Sequence, residues 1–168
     1  MFLKSLMLTV MITFVVSCGK EVAGPTPPVT PPVTQNGEKV TLKLYGAFWC
    51  ATCSKEIPEV MEMIRQKLGD KAELVQLELW VPTGTTAAQR PTEEIAEAYR
   101  SKLNIAANVH LDPWRWQTFR SNFPGARFSL PAAVLVDEKG REIEAFPPGS
   151  TTFVPSDIAA AVASSVNK

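Results

Sequence analysis

The sequence has no excess charge of either sign. Its 17 basic residues are matched by 17 acidic ones, which gives a formal net charge of zero at pH 7. Because nucleic-acid binding depends on a basic surface, this balance argues against a nucleic-acid partner. The 168 residues are enough for one ordinary domain with its own core.

The N-terminal apolar run is too short for a stable transmembrane helix, which needs about 20 residues. It covers residues 6–16, contains two threonines and follows a single lysine, Lys4. A basic residue before a short apolar stretch is typical of a secretory signal peptide. We therefore expect residues 1–17 to be a signal peptide.

The end of that run, residues 15–19 (VVSCG), resembles a bacterial lipobox. In a lipobox the signal peptide is cut before the cysteine, so the resemblance implies a lipidated Cys18 and a stable membrane anchor. By the same resemblance, Gly19 does not signal retention in the inner membrane, so the choice between the inner membrane and the outer membrane of a Gram-negative cell stays open. The alternative is an ordinary signal peptide with a chance cysteine.

The segment after Cys18 lacks large apolar side chains and cannot contribute to a core. Residues 19–37 contain five prolines among threonine, valine and glycine. Such a composition favours extended, polyproline-like conformations that act as a semi-rigid tether. We therefore divide the chain into a signal peptide (1–17), a lipidated cysteine with its tether (18–37) and a globular domain (38–168).

The globular part alternates between strand and helix patterns, which predicts an α/β domain with a mixed central sheet flanked by helices. Strands are predicted at 40–48, 73–80, 108–111, 132–136 and 141–146, the last two joined by a hairpin turn at 137–140. Helices are predicted from 57 to a stop at Gly69, from a Thr92 cap through Leu103, and from 155 to 166. Residues 81–89 are predicted to form a loop, and an aromatic segment follows the third strand.

Cys50 and Cys53 form a CxxC pair at the junction of the first strand and the first helix. Helix N-terminal amides and the helix dipole favour negative charge at this position. They would stabilise the Cys50 thiolate, which is the reactive form in disulfide exchange. With Cys18 assigned to lipid, no other cysteine remains for a structural disulfide or a zinc site.

The residues around the CxxC pair resemble the thioredoxin superfamily over nearly all of residues 38–168. Trp49 precedes the first cysteine, Pro58 lies five residues past the second, and Leu130-Pro131 precedes an apolar strand. More narrowly, residues 53–58 (CSKEIP) look like those of the membrane-tethered, extracytoplasmic TlpA/ResA-type thiol-disulfide oxidoreductases. The inserted helix and short strand before Leu130 fit that subgroup as well.

The resemblance implies a thioredoxin-like fold in which Cys50 is the nucleophile and Cys53 the resolving thiol, joined as a disulfide when oxidised. It also implies that Pro131 is a cis-proline facing the pair and that Trp49 and Leu130 contact substrate. No cofactor is implied. The alternative for Pro131 is a trans proline at a strand start.

Glu56 lies one helical turn beyond Cys53, and by resemblance it is an acid that tunes the cysteines or relays a proton. The alternative is a solvated helix glutamate. The sequence also departs from classical thioredoxins, because Leu44 occupies the position of their buried aspartate. The dipeptide Ala51-Thr52 between the cysteines leaves the direction of electron flow open, and Ala132 after the proline weakens inference about the substrate.

His110 is the only histidine, and a structural role is favoured over copper delivery, which would need a CxxxC spacing. Trp114 and Trp116 are interpreted as packing residues, with a substrate rim as the alternative.

The expected function is dithiol–disulfide exchange with other exported proteins in the bacterial cell envelope. The TlpA/ResA resemblance implies reduction of partners such as apocytochrome c, with a membrane redox partner that regenerates the reduced form. Two alternatives stay open: a disulfide-forming oxidase, and a non-catalytic binding module whose CxxC is a structural disulfide.

Overall fold

A computed structural model describes residues 37–82, 90–112, 116–149 and 151–168. The predicted signal peptide, Cys18 and the tether up to residue 36 lie outside these ranges. Most of the predicted loop at 81–89 and Trp114 lie outside them as well.

The described residues form a mixed five-stranded sheet with the order β3-β2-β1-β4-β5. Its strands are β1 (Val40–Tyr45), β2 (Val75–Pro82), β3 (Asn108–Asp112), β4 (Ala132–Asp137) and β5 (Glu142–Phe146). The first three strands are mutually parallel, whereas β4 runs antiparallel to both β1 and β5. The predicted α/β class and mixed sheet are confirmed.

Four α-helices accompany the sheet in the described part of the chain: α1 (Ala51–Leu68), α2 (Glu93–Leu103), α3 (Gln117–Asn122) and α4 (Pro155–Val166). The Thr92 hydroxyl accepts from the Ile95 amide and caps α2 as predicted, and Gly69 ends α1 with a positive φ of 54°. A 3₁₀ turn at Gly69–Leu74 was not predicted, and it delays the start of β2 by two residues.

The first strand ends three residues earlier than predicted. Gly46 still donates to the carbonyl of Trp80 on β2, but the chain then turns, and the Cys50 amide donates to the carbonyl of Ala47 at 2.9 Å. This turn uses apolar residues, so their pattern alone looked like a continued strand.

One face of the sheet is covered by α1, α2 and α4. Apolar side chains of all three helices form a single buried cluster with alternate residues of β1 and β4. Val40, Leu42 and Leu44 of β1 face this cluster and are almost fully buried. Cys53 belongs to the same cluster. The CxxC pair therefore packs, through Cys53, against the face of the sheet that these three helices cover.

The opposite face carries a second, aromatic cluster. Tyr45 lies at its centre, with ring centroids 5.6 Å from Phe119 and 5.7 Å from Phe123. Asp112 is fully buried at the end of β3, and its carboxylate accepts from the amides of Thr118 and Phe119 at 2.8 and 3.0 Å. These two bonds hold the start of α3 against this face.

Within the described ranges, no helix is both long enough and apolar enough to cross a membrane.

Candidate active site

The CxxC pair lies at the edge of the sheet where β1 ends and α1 begins. Cys50 is the N-cap of α1, and its backbone is extended, with φ −92° and ψ 104°. Its sulfur accepts a hydrogen bond from the Cys53 amide at 3.1 Å. The first cysteine therefore occupies the cap position that serine or aspartate fills in other helices.

The two cysteines are joined as a disulfide, with an S–S distance of 2.08 Å and a Cα–Cα distance of 5.3 Å. Their environments differ, because Cys53 is fully buried whereas Cys50 is only partly buried. An external thiolate can therefore approach Cys50 more readily than Cys53.

Pro131 lies at the same edge of the sheet as the disulfide. The peptide bond between Leu130 and Pro131 is cis, as expected from the sequence. Ala132 pairs with Tyr45, the last residue of β1, so Pro131 lies beside the segment that leads from β1 to Cys50. The antiparallel register of β4 thus brings a residue 81 positions later in the chain to the CxxC pair.

Trp49 and Leu130, the predicted substrate contacts, immediately precede Cys50 and Pro131 and are both partly exposed. The Trp49 ring stands edge-on to Phe48 at 4.8 Å. Leu130 packs against both buried clusters. Their contact with substrate stays a prediction.

Glu56 is partly buried and lies one turn beyond Cys53 on α1. Both interpretations of Glu56 stay predictions: an acid that tunes the cysteines or relays a proton, and a solvated helix glutamate. Leu44, at the position where classical thioredoxins hold a buried aspartate, is fully buried on β1. The strand beneath the disulfide therefore offers an apolar side chain at that point.

Tyr99 of α2, which was not among the predicted site residues, lies against Gly46 in the segment that leads from β1 to Cys50. It is 3% exposed, and its hydroxyl has no hydrogen-bond partner among the described residues. A Cβ placed on Gly46 would lie 3.0 Å from this hydroxyl and 2.6 Å from Cδ1 of Ile57. The signal in the sequence was Gly46, because the absence of its side chain leaves room for Tyr99 and Ile57.

The remaining candidates take part in packing. His110 stacks on Trp80 with ring centroids 4.7 Å apart, and Trp116 stacks on Phe128 at 3.6 Å. The packing interpretation of Trp116 is confirmed, whereas Trp114 lies outside the described residues. In the part of the chain that the structure covers, no group of three or more His, Cys, Asp or Glu side chains is placed to hold a metal ion.

Solved structures share this fold at low sequence identity. A thiol-disulfide isomerase from Corynebacterium glutamicum is 15% identical and has a TM-score of 0.55, over 80% of this chain and 84% of its own. A thiol:disulfide interchange protein from Bacteroides sp. is 18% identical, with a TM-score of 0.53, over 78% of this chain and 75% of its own. A secreted disulfide oxidoreductase from Mycobacterium tuberculosis, described as homologous to DsbE of E. coli, is 17% identical, with a TM-score of 0.52, over 75% and 81%.

No family model matches the sequence, and no curated protein sequence matches it either. The structural likeness, the sheet order and the cis-proline beside a CxxC disulfide define the class: the domain has a thioredoxin-like fold. The predicted fold is confirmed.

Proposed function

We propose that this protein is an extracytoplasmic thiol-disulfide oxidoreductase that uses Cys50 as its nucleophile and Cys53 as its resolving thiol. The observation that carries the proposal is the asymmetry of the disulfide at the start of α1, with Cys50 partly exposed and Cys53 fully buried. The accessible sulfur can react with another protein, whereas the buried sulfur can react only with its neighbour.

In the proposed reaction the Cys50 thiolate attacks a substrate disulfide. One substrate sulfur leaves as a thiolate, and the other forms a mixed disulfide with Cys50. Cys53 then attacks the Cys50 sulfur, which restores the Cys50–Cys53 disulfide and releases the reduced substrate. The position of Cys50 at a helix N-terminus supports its role, because the amides and dipole there favour the thiolate.

Cis-Pro131, Leu130 and Trp49 are proposed to contact the substrate around its disulfide. Their support is their place in the fold, since all three lie at the edge of the sheet that carries Cys50. A proline there has no amide proton, so it leaves the approach to Cys50 free of a competing donor.

The proposed location is the bacterial cell envelope, with the domain anchored through lipid on Cys18. Support comes from the signal-peptide and lipobox patterns of the sequence and from the secreted neighbour named above. Exported proteins such as apocytochrome c are the proposed substrates, and a membrane redox partner would regenerate the dithiol. Labelling with a radioactive fatty acid tests the anchor, and a Cys18→Ser variant that still takes up label would disprove it.

The function is tested by trapping. Cys53→Ala leaves the mixed disulfide without its resolving thiol, so covalent adducts should accumulate in the cell envelope. The matched control is Cys50→Ala, which retains Cys53 and should accumulate none. If Cys50 stays unreactive toward alkylating agents after reduction, the pair is a structural disulfide, and the protein is a non-catalytic binding module.

The direction of electron flow is tested by the equilibrium of the pair with glutathione. We propose that the protein reduces its partners, which requires a potential near that of thioredoxin, about −270 mV. A potential near that of DsbA, about −120 mV, would instead indicate a disulfide-forming oxidase.

A further inference from the structure

A buried hydroxyl lies next to Gly46, in the segment that joins β1 to Cys50. It belongs to Tyr99 of α2 and has no hydrogen-bond partner within the described ranges. A buried polar group left without a partner carries a free-energy cost, because it has given up its hydrogen bonds to water. An acceptor that exists only in another state of the protein would offset this cost.

The position of this hydroxyl follows from Gly46 and Ile57. Both the hydroxyl oxygen and Ile57 Cδ1 lie within 3.0 Å of the point where a Gly46 Cβ would be. Helical side chains lean toward the helix N-terminus, so Ile57 leans toward Cys53, which lies one turn earlier on the same face of α1. Cys53, Ile57 and Tyr99 share one buried cluster. The hydroxyl therefore lies against Gly46, in the same buried cluster as Cys53.

Other polar groups around this cluster are few in the described part of the chain. Asp112 is buried on the opposite face, where it is bonded to amides of α3, and Ser165 is buried near the end of α4 at the far edge of the sheet. Glu56 is only partly buried on α1, and Arg100 of α2 pairs with a residue of its own helix. Tyr99 thus carries an unpaired buried hydroxyl in the cluster that includes Cys53.

We propose that the Tyr99 hydroxyl is a positioning group that donates a hydrogen bond to the Cys53 sulfur once the disulfide opens. The proposal rests on the function proposed above. When an external dithiol reduces the pair, the S–S bond breaks, the dithiol becomes a disulfide, and Cys50 and Cys53 each receive one electron and one proton. Cys53 must then lose its proton to act as the resolving nucleophile, and a neighbouring donor stabilises that thiolate.

Tyr99 is suited to donate because it keeps its proton. Burial raises the pKa of Tyr99 above its ordinary value, so the hydroxyl stays neutral at physiological pH. A neutral hydroxyl next to a thiolate acts as the donor of the pair. Since the disulfide sulfurs are poor acceptors, the bond forms mainly in the reduced protein.

The test compares Tyr99→Phe with Tyr45→Phe in a background that carries both Cys18→Ser and Cys50→Ser, so that Cys53 is the one remaining cysteine. Tyr45 is the matched control, because it is also buried but its hydroxyl accepts from Asn122 on the other face of the sheet. The Cys53 thiolate is followed by its ultraviolet absorbance as the pH rises. Tyr99→Phe should move the titration upward by about one pH unit, or roughly tenfold in thiolate fraction at a given pH. Tyr45→Phe should leave it in place.

A second measurement uses the intact CxxC pair. Tyr99→Phe should lower the equilibrium constant for reduction by glutathione several-fold, while the oxidised variant unfolds at the same temperature as the parent or higher. An unchanged Cys53 titration, or a loss of stability confined to the oxidised form, would show that Tyr99 only packs. If the titration shifts but no substrate disulfide is exchanged, the proposed function fails and the role of Tyr99 stands.

Discussion

The backbone amide of Cys53 donates a hydrogen bond to the sulfur of Cys50 at 3.1 Å. The same contact would serve a thiolate, which accepts hydrogen bonds more strongly than a disulfide sulfur does. The chain therefore holds, already in its oxidised form, a donor that would stabilise the proposed nucleophile after reduction.

We accordingly expect Cys50 in the reduced protein to titrate below about 8.5, the ordinary value for a free cysteine. The rate of alkylation of a variant with both Cys18→Ser and Cys53→Ala, measured against pH, reports this titration. The unfolded variant in denaturant is the control and should titrate at the ordinary value. Identical profiles for the folded and unfolded forms would contradict a role for the helix N-terminus.

Gly46→Ala should destabilise the protein by about 1–3 kcal/mol, because the added methyl would meet Ile57 Cδ1 at 2.6 Å in a filled core. Ile57→Val removes that carbon and alone should cost about 0.5–1.5 kcal/mol. Chemical denaturation of the double variant should then show a loss smaller than the sum of the two. Strict additivity would mean that the two side chains do not compete for the same space.

Asp112→Ala should cost roughly 2 kcal/mol or more, because it leaves the buried amides of Thr118 and Phe119 without their acceptor. Asp112→Asn keeps one acceptor oxygen and should lose less. Thermal unfolding measures both effects. Glutathione equilibrium should stay near that of the parent, since this carboxylate serves the aromatic face of the sheet rather than the disulfide.

The hairpin between β4 and β5 should contribute a pH-dependent part of the stability. The pKa of Asp137 is lowered below its ordinary value of 3.8, first by the hydrogen bond from the Arg141 amide and also by the Arg141 side chain. A lowered pKa in the folded state stabilises the protein above the unfolded value, and the contribution is lost as the pH falls through the folded one. The difference in unfolding temperature between the parent and Asp137→Asn should therefore be present at pH 7 and shrink below about pH 4. A constant difference would contradict this origin.

Local sequence patterns predicted the strands, the long helices and the CxxC junction because each depends on residues close together in the chain. Thr92 caps the start of α2 and Gly69 the end of α1, which are the positions that these residue types favour. The resemblance to thioredoxins predicted the cis bond before Pro131. It thereby also predicted the second chain segment that contributes to the site.

The contact between Tyr99 and the Gly46 segment could not be predicted in this way. It joins two elements more than fifty positions apart, and the tyrosine occupies an ordinary apolar position of its helix. Only the packing of α2 against the same face as α1 brings Tyr99 to Gly46 and into the cluster that holds Cys53. The aromatic cluster on the opposite face could not be predicted either. The sequence showed a run of large aromatic side chains, but not the residues against which they pack.

The direction of β1 has a mechanical consequence for the proposed lipid anchor. The chain enters the domain at Val40, where the Glu38 amide is bonded to the last turn of α4, and it reaches Cys50 only after crossing the sheet. Six residues of strand separate the two edges by roughly 17 Å. Tension applied through the proposed tether would therefore act on the edge remote from the disulfide, and the proposed reactive edge would meet a partner without strain on the attachment.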